Sequence, residues 1–305
     1  MLNQSKFYST ETKQQISFLA NQGVSSRYIA EALGISKSGV NDYINRDKPH
    51  FRIPNARVLV YDLETSAAEV LTFGRFKQNI GQANVLKEGG MILCASYRWL
   101  DTDKTFTMHL TPDEIKRQDD SRLVAWMFDL YEQADAVLAH NSRGFDHKVL
   151  QTRALKVGFP ALPMVKVLDT LRLARQYLKL PSNRLDAIGE YFGLGRKQET
   201  GGISLWRDVQ AGDPAAMKRM VEYCKQDTNL LYEVYLKLRG LGATGNFDAS
   251  LFSADKSGTL LCKSCGSDDV HATGRVVATG ANNFVEHRCN NCGGVQRSKQ
   301  KVVWH

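Results

Sequence analysis

Residues 57–66 read RVLVYDLETS, a short β-branched run that ends in acid. Side chains alternate across a strand, so Asp62 and Glu64, two residues apart, point at one spot where the strand ends. Further acids fall at comparable places. ADAVLAHN (residues 134–141) reads as a buried strand ending at His140 and Asn141, and Asp146 opens the helix that follows. Asp227 sits in the long helical segment PAAMKRMVEYCKQDTNLLYEVYLKL, one turn beyond Tyr223, so these two share a face. Each feature alone has a plain reading: a common D-x-E, a routine helix-start acid, an ordinary helix face. Together they bring four carboxylates from three separated segments to one place. That arrangement is repulsive unless divalent cations neutralise it, and hard oxygen ligands suit Mg²⁺ or Mn²⁺.

Working outward, MILCASYRWL and KTFTMHL read as a strand pair, SRLVAWMFDLYEQA as a helix and VKVLDT as a further strand. Asp169 ends that last strand and suits the N-cap of LRLARQYL, with a place beside the acids as the alternative. NRLDAIGEYFG is a further helix, and RKQETGGIS reads as a polar loop with no assigned role. Three strands followed by strand–helix units imply an α/β domain over 57–241: a mixed sheet with helices on its faces. TFGRFKQN interleaves Phe73 and Phe76 with Arg75 and Lys77, which suits a single nucleic-acid strand or an ordinary solvated loop.

Both flanks differ from this domain. Residues 1–50 resemble a helix-turn-helix. TKQQISFLANQG is an amphipathic first helix, Ser25 caps the second, Gly34 closes it and Ser36 caps the third. Such a third helix enters the major groove, which would turn Ser36, Lys37, Ser38, Asn41 and Arg46 to DNA. The alternative is a helical bundle that contacts protein. Two prolines mark a linker over 47–56, and a Gly/Ser/Ala/Asp-rich stretch marks a second after 241.

Residues 258–305 carry Cys262-x2-Cys265 and Cys289-x2-Cys292, each pair followed by glycine, with GRVVATG and NNFVEHR as strands between them. This is the pattern of a small β zinc ribbon in which four thiolates complete one structural Zn²⁺, leaving His271 and His287 as non-ligands. So small a piece with so little apolar content needs the metal to fold. Cys94 and Cys224 are isolated and read as core residues.

Composition bounds the rest. The chain has 305 residues, enough for two or three units, and its 43% hydrophobic content excludes a wholly disordered chain. The net charge of +8 spreads as +2, +4 and +2 over 1–50, 51–244 and 245–305, so no basic tail explains it. It favours a polyanionic partner without proving one. No apolar run reaches the length of a membrane span and no secretory signal precedes the domains, so a cytoplasmic, nucleic-acid-associated protein is expected.

YDLETS, HNSRGFD and YCKQD resemble the three exonuclease motifs of the DEDD superfamily on the ribonuclease H-like fold. The likeness is nearest to exonuclease domains of family B DNA polymerases and to free-standing phage and bacterial relatives, and it covers about residues 57–240. It implies two-metal hydrolysis of phosphodiesters from a 3′ end, releasing nucleoside 5′-monophosphates. Asp62 would bridge two Mg²⁺ or Mn²⁺ ions, Glu64 and Asp227 would hold the water-side ion, and Asp146 the other. Tyr223 would orient the attacking water, which marks the tyrosine subclass. Asn141 would contact the terminal nucleotide or cap the Asp146 helix. Phe145 reads as core, with a stacking platform as the alternative. The substrate implied is DNA with a 3′ end, RNA being open. Two further readings stand beside this one: a structure-selective endonuclease on the same fold, and a DNA-binding regulator with an inactive core.

Overall fold

The computed structural model of the chain describes residues 9, 12, 15–16, 19, 26–37, 39–40, 56–74, 76, 78–195, 202–242, 248–252 and 259–302. It divides into two compact units, Met1–Phe51 and Arg52–His305. In the first, helix α1 (Ser26–Leu33) buries Ile29 and Ala30 against Ile16 and Val40. The helix closes with two bonds, Ile35 N–H to the Ala30 carbonyl at 2.9 Å and Gly34 N–H to Glu31 at 3.3 Å. Ser36 Oγ then accepts from the Gly39 N–H at 3.0 Å and caps the next turn. Lys37 is exposed there, while Asn41 lies outside the described residues.

The second unit opens with β1 (Val58–Thr65), a two-strand ladder of β2 (Glu69–Val70) and β3 (Val85–Lys87), then β4 (Ile92–Trp99) and β5 (Phe106–His109). Helices α2 (Pro112–Arg117) and α3 (Ser121–Glu132) lead to β6 (Ala136–Ala139), α4 (Asp146–Lys156) and β7 (Lys166–Asp169). Four helices follow: α5 (Thr170–Tyr177), α6 (Leu185–Tyr191), α7 (Ile203–Gln210) and the long α8 (Pro214–Leu238). A separate antiparallel sheet is built from β8 (Val270–Thr279), β9 (Asn282–Cys289) and β10 (Val295–Lys301).

The main sheet has five strands in the order β5-β4-β1-β6-β7, antiparallel across β5, β4 and β1 and parallel across β1, β6 and β7. This is the ribonuclease H-like mixed sheet. Every residue of β6 is buried, as an inner parallel strand covered on both faces requires. Alternation along β1 sorts its side chains between the two helical layers. Tyr61 turns to α3, where its hydroxyl meets that of Tyr131 at 2.6 Å. Its neighbours Asp62 and Glu64, on the other set of alternate positions, are shared with α8.

Helix α8 buries residues three and four apart, from Ala216 and Met220 through Cys224, Leu231 and Tyr235 to Leu238. Asp213 starts it by accepting from the Ala215 N–H at 2.8 Å. The helix is fastened to the sheet by a polar seam. Ser96, the register partner of Asp62 on β4, is fully buried; its hydroxyl donates to the Cys224 carbonyl at 2.8 Å and bonds the Thr228 hydroxyl. On the opposite layer Asp120, fully buried, accepts from Arg153 Nε at 2.7 Å, Arg153 Nη2 at 2.5 Å and the Ile92 N–H at 2.9 Å, joining α4 to β4.

Three expectations change. Helix α7 starts at Ile203, inside the segment read as a polar loop, in ISLWRDVQ, too short for its periodicity to stand out. Part of the second linker is packed: Ala249 is fully buried and its N–H donates to the Lys263 carbonyl at 2.7 Å. Phe145 is 42% exposed, so it is not core; it sits at the turn into α4, outside the sheet–helix interior. Among the described residues, no helix is long and apolar enough to cross a membrane.

Candidate active site

Asp62, Glu64 and Asp227 each bring a carboxylate oxygen within 4.8 Å of the other two. The strand pleat aims the first two and the Ser96 seam sets the height of α8, hence of Asp227. Asp227 is 8% exposed and occupies a place on α8 where the apolar stripe would otherwise continue. A carboxylate there is costly without a counter-charge. Asp62 Oδ2 is fully buried and has no hydrogen-bond partner among the described residues. Burial, and then the charges of Glu64, Asp146 and Asp227, hold the Asp62 carboxyl well above the usual carboxylate range.

Asp146 is outside this close trio but near enough for its charge to act on Asp62. It is 3% exposed, and burial pushes it up to about 7, against hydrogen bonds from the backbone of Asp146 itself and of Leu63 that lower it. The chain leading to it is held from below. Ser142 Oγ lies 3.2 Å from the Tyr61 hydroxyl, and the Tyr131 hydroxyl 3.4 Å from His147 Nδ1. A buried oxygen without a donor, raised acid pKa values and converging carboxylates fit hard divalent cations.

Beside the acids is a cleft of about 570 Å³ lined by Asp62, Asp227, Asn141, His140, Arg175 and Arg184, among others. Asn141 takes a left-handed backbone (φ 68°), and its N–H donates to Asp169 Oδ1 at 2.9 Å. Asp169 also accepts from Leu171 N–H at 3.0 Å, so it caps α5 and braces the cleft. His140 is locked between the Thr170 hydroxyl (Nδ1, 2.8 Å) and the Asn183 carbonyl (Nε2, 2.9 Å), and burial lowers its pKa. Arg75 and Lys77 lie outside the described residues.

Tyr223 is 7% exposed and meets the Trp206 ring edge-on, centroids 6.3 Å apart. Trp206, on α7, was not singled out by sequence, nor was Gln210 on the same helix. The Gln210 amide accepts from the Ala67 N–H at 2.7 Å and donates to the Ala67 carbonyl at 3.2 Å, gripping the chain as it leaves β1. Arg175, on α5, and Arg184, just before α6, carry no signal of their own: nothing in a lone arginine distinguishes cleft from solvent. Ser96 carried a signal, a lone hydroxyl inside an apolar strand.

The four knuckle sulfurs form a second cluster, all within 4.8 Å of one another. Cys262 and Cys292 are 3.5 Å apart, and Cys265 and Cys289 3.6 Å. A tetrahedron of 2.3 Å zinc–sulfur bonds has edges of about 3.8 Å, so the sulfurs fit that ion. Their shared hydrogen bonds pull them apart electrically: the bonds to Cys265 and Cys292 lower Cys262, while the bond from Cys262 raises Cys292. The Gly294 N–H points at Cys292 Sγ, 3.4 Å away, a contact that supports a thiolate.

Residues 84–239, just over half of the chain, match the RNase H superfamily. The chain belongs to the RNase H superfamily. The superfamily match begins downstream of β1, so the placement of Asp62 and Glu64 rests on geometry alone. Among solved structures, this RNase H-superfamily chain is similar to the family B DNA polymerase of the hyperthermophilic archaeon Pyrobaculum calidifontis, with 16% identity and a TM-score of 0.44. The similarity covers 67% of this chain and 28% of the polymerase, so the chain spans little more than a quarter of that protein's length. No curated protein matches the sequence.

Proposed function

We propose that the protein is a metal-dependent nuclease that removes nucleotides from the 3′ end of DNA. The observation that carries this reading is the convergence of Asp62, Glu64 and Asp227 beside a cleft that also presents Arg175 and Arg184. Asp62, Glu64 and Asp227, with Asp146 behind them, would hold two Mg²⁺ or Mn²⁺ ions. Such ions, when bound, supply an activated water and stabilise the leaving 3′-oxygen. The two arginines would take the phosphates of the incoming strand, and Asn141 and the exposed Phe145 its terminal nucleotide. An Asp-Glu-Asp-Asp set with Tyr223 one turn before Asp227 supports a reading in the tyrosine subclass.

The modules at 1–50 and 258–305 are read as a DNA-binding helix-turn-helix and a zinc ribbon held by Cys262, Cys265, Cys289 and Cys292. The body between them, 57–241, carries the chemistry. Incubation with matched DNA and RNA oligonucleotides, labelled at either end, in Mg²⁺ or Mn²⁺ tests the activity. A ladder that shortens from the 3′ end is expected, with a circular strand left intact. Cutting of the circle would favour an endonuclease, and no cleavage in either metal an inactive core.

Tyr223→Phe isolates the hydroxyl. The ring and its contact with Trp206 stay, so α8 keeps its place, and only the group that would orient the attacking water is lost. Single-turnover hydrolysis should slow about ten- to a hundredfold, the worth of a positioning hydrogen bond in a charged site. Binding of a 3′ end should not change, because the loss falls on the transition state. An unchanged rate would return Tyr223 to packing alone.

A further inference from the structure

The ribbon sheet is docked on the far end of the helix that carries Asp227. A Cβ built on Gly240, just past α8, would lie 2.5 Å from the Cys292 carbonyl oxygen and 3.3 Å from the Gly294 nitrogen. A Cβ on Gly294 would in turn meet the Gly240 carbonyl at 3.5 Å. The two backbones are therefore in direct contact, and glycine alone permits it. Tyr235, a turn earlier and 3% exposed, is near enough to feel the charges of Cys262, Cys265 and Cys292. With Ala249 laid on the first knuckle, the connection is packed at both ends. Asp227 stands on α8 and Gly240 in the 3-10 turn that continues it, about 20 Å apart along the axis at about 1.5 Å per residue.

One face of that sheet is basic. Strand register pairs Glu286 with Arg297 and Arg288 with Val295, so Phe284, Glu286 and Arg288 of β9 share a face with Val295 and Arg297 of β10. Arg288 and Arg297 are exposed. The Arg297 guanidinium lies over the Phe284 ring, 4.7 Å from its centroid, which holds the cation in place without neutralising it. Arg288 Nη1 donates to the Gly293 carbonyl at 3.3 Å, which steadies it over the second knuckle. The face's one acid, Glu286, accepts from the Thr273 hydroxyl at 2.9 Å.

We propose that this face grips the phosphates of the same strand whose 3′ end enters the cleft, at a set distance upstream. Two exposed guanidiniums on one face, one of them held over an aromatic ring, complement the phosphates of a single strand. At a rise of about 3.4 Å per nucleotide, the roughly 20 Å from Asp227 to the ribbon's contact at Gly240 is already about six nucleotides, so a strand much shorter than that falls short of the ribbon. The inference rests on the nuclease reading for the location of the 3′ end.

The test compares wild type with an Arg288→Glu, Arg297→Glu double variant, whose changes are on the surface. Affinity for 5′-labelled single strands of about four and about twelve nucleotides, either side of that reach, is measured by fluorescence anisotropy in Ca²⁺. Hydrolysis of the p-nitrophenyl ester of thymidine 5′-monophosphate in Mn²⁺ reports the acids alone. The double variant should bind the longer strand about tenfold more weakly or worse, with the short strand and the ester unaffected. Unchanged binding of the longer strand, or an equal loss at both lengths, would overturn the proposal. If wild type fails on the ester and on all strands, the nuclease reading falls, yet the affinities still decide whether the ribbon face binds. Gly240→Val, which presses the knuckle off α8 and leaves both arginines, should lose the same length dependence with zinc retained. Full length dependence in that variant would sink the fixed docking.

Discussion

Asp62→Asn should reduce phosphodiester hydrolysis by about a thousandfold or more, a barrier rise of about 4 kcal/mol, and should make the metal-free protein more heat-stable. The amide keeps the shape of the side chain at the centre of the trio and removes its charge. With cations present, that loses a shared ligand. In EDTA it relieves the repulsion among Asp62, Glu64, Asp146 and Asp227, which alone holds Asp62 so far above the ordinary carboxylate range after burial.

The same electrostatics predict a pH dependence. Asp146 has its folded-state value raised from 3.8 to about 7. Between those values the folded chain holds a proton that the unfolded chain has released. The stability this group contributes is therefore full at acid pH and is lost as pH rises through about 7. Melting in EDTA should fall between about pH 5 and about pH 8, and Mg²⁺ should reverse the fall. A variant with near-normal turnover would remove Asp62 from the site, and a flat melting profile in EDTA would deny the crowding.

Cys289→Ser should abolish zinc binding and unfold β8, β9 and β10. A structural zinc contributes about 10 kcal/mol or more of folding free energy in pieces of this size, and the ribbon's strands offer little in exchange. Half-buried and exposed residues dominate β8, where no residue is buried. Metal analysis of reduced protein should find about one zinc in wild type and none in the variant, with new protease cleavage between 259 and 302. Ester hydrolysis should persist, because Asp227 is about three turns back along α8 from the ribbon's contact and Asp62 and Glu64 are on β1. The cooperative melt should nonetheless move down, since Tyr235 and Gly240 lose their cover. Wild-type protein free of zinc would overturn the assignment.

What could be read from the chain was local. D-x-E on a strand and Tyr-x3-Asp on a helix declare their shared faces through periods of 2 and 3.6, and C-x2-C through the bite of one ion. These motifs need no partner to be recognised. The contacts that set the motifs against each other are not legible, because each runs across more than a hundred residues. Ser96 with Cys224 and Thr228, and Gln210 with Ala67, are of this kind. So are the arginines of the cleft, which differ from solvent-facing arginines only by what lies opposite. Phe145 misled for a related reason. A phenylalanine in a motif is read as interior by its apolarity, but the left-handed turn at Asn141 carries the chain outward before α4 begins. The docked ribbon was read as a tethered one because its linker is rich in flexible residues, and composition says nothing of a glycine pressed against a carbonyl.

Helix α8 and the 3-10 turn that continues it join Asp227 to the ribbon's contact at Gly240, so the distance between them comes with an angle. Adding one residue between Asp227 and Gly240 would advance the ribbon by about 1.5 Å, a trivial change in reach. It would also swing it about 100° around the helix axis, changing the bearing of Arg288 and Arg297 relative to the acids. Only insertions near whole turns, of about seven or eleven residues, would bring the two back into phase. The helix thus works as a keyed shaft: its length is negotiable in turns and its rotation is not.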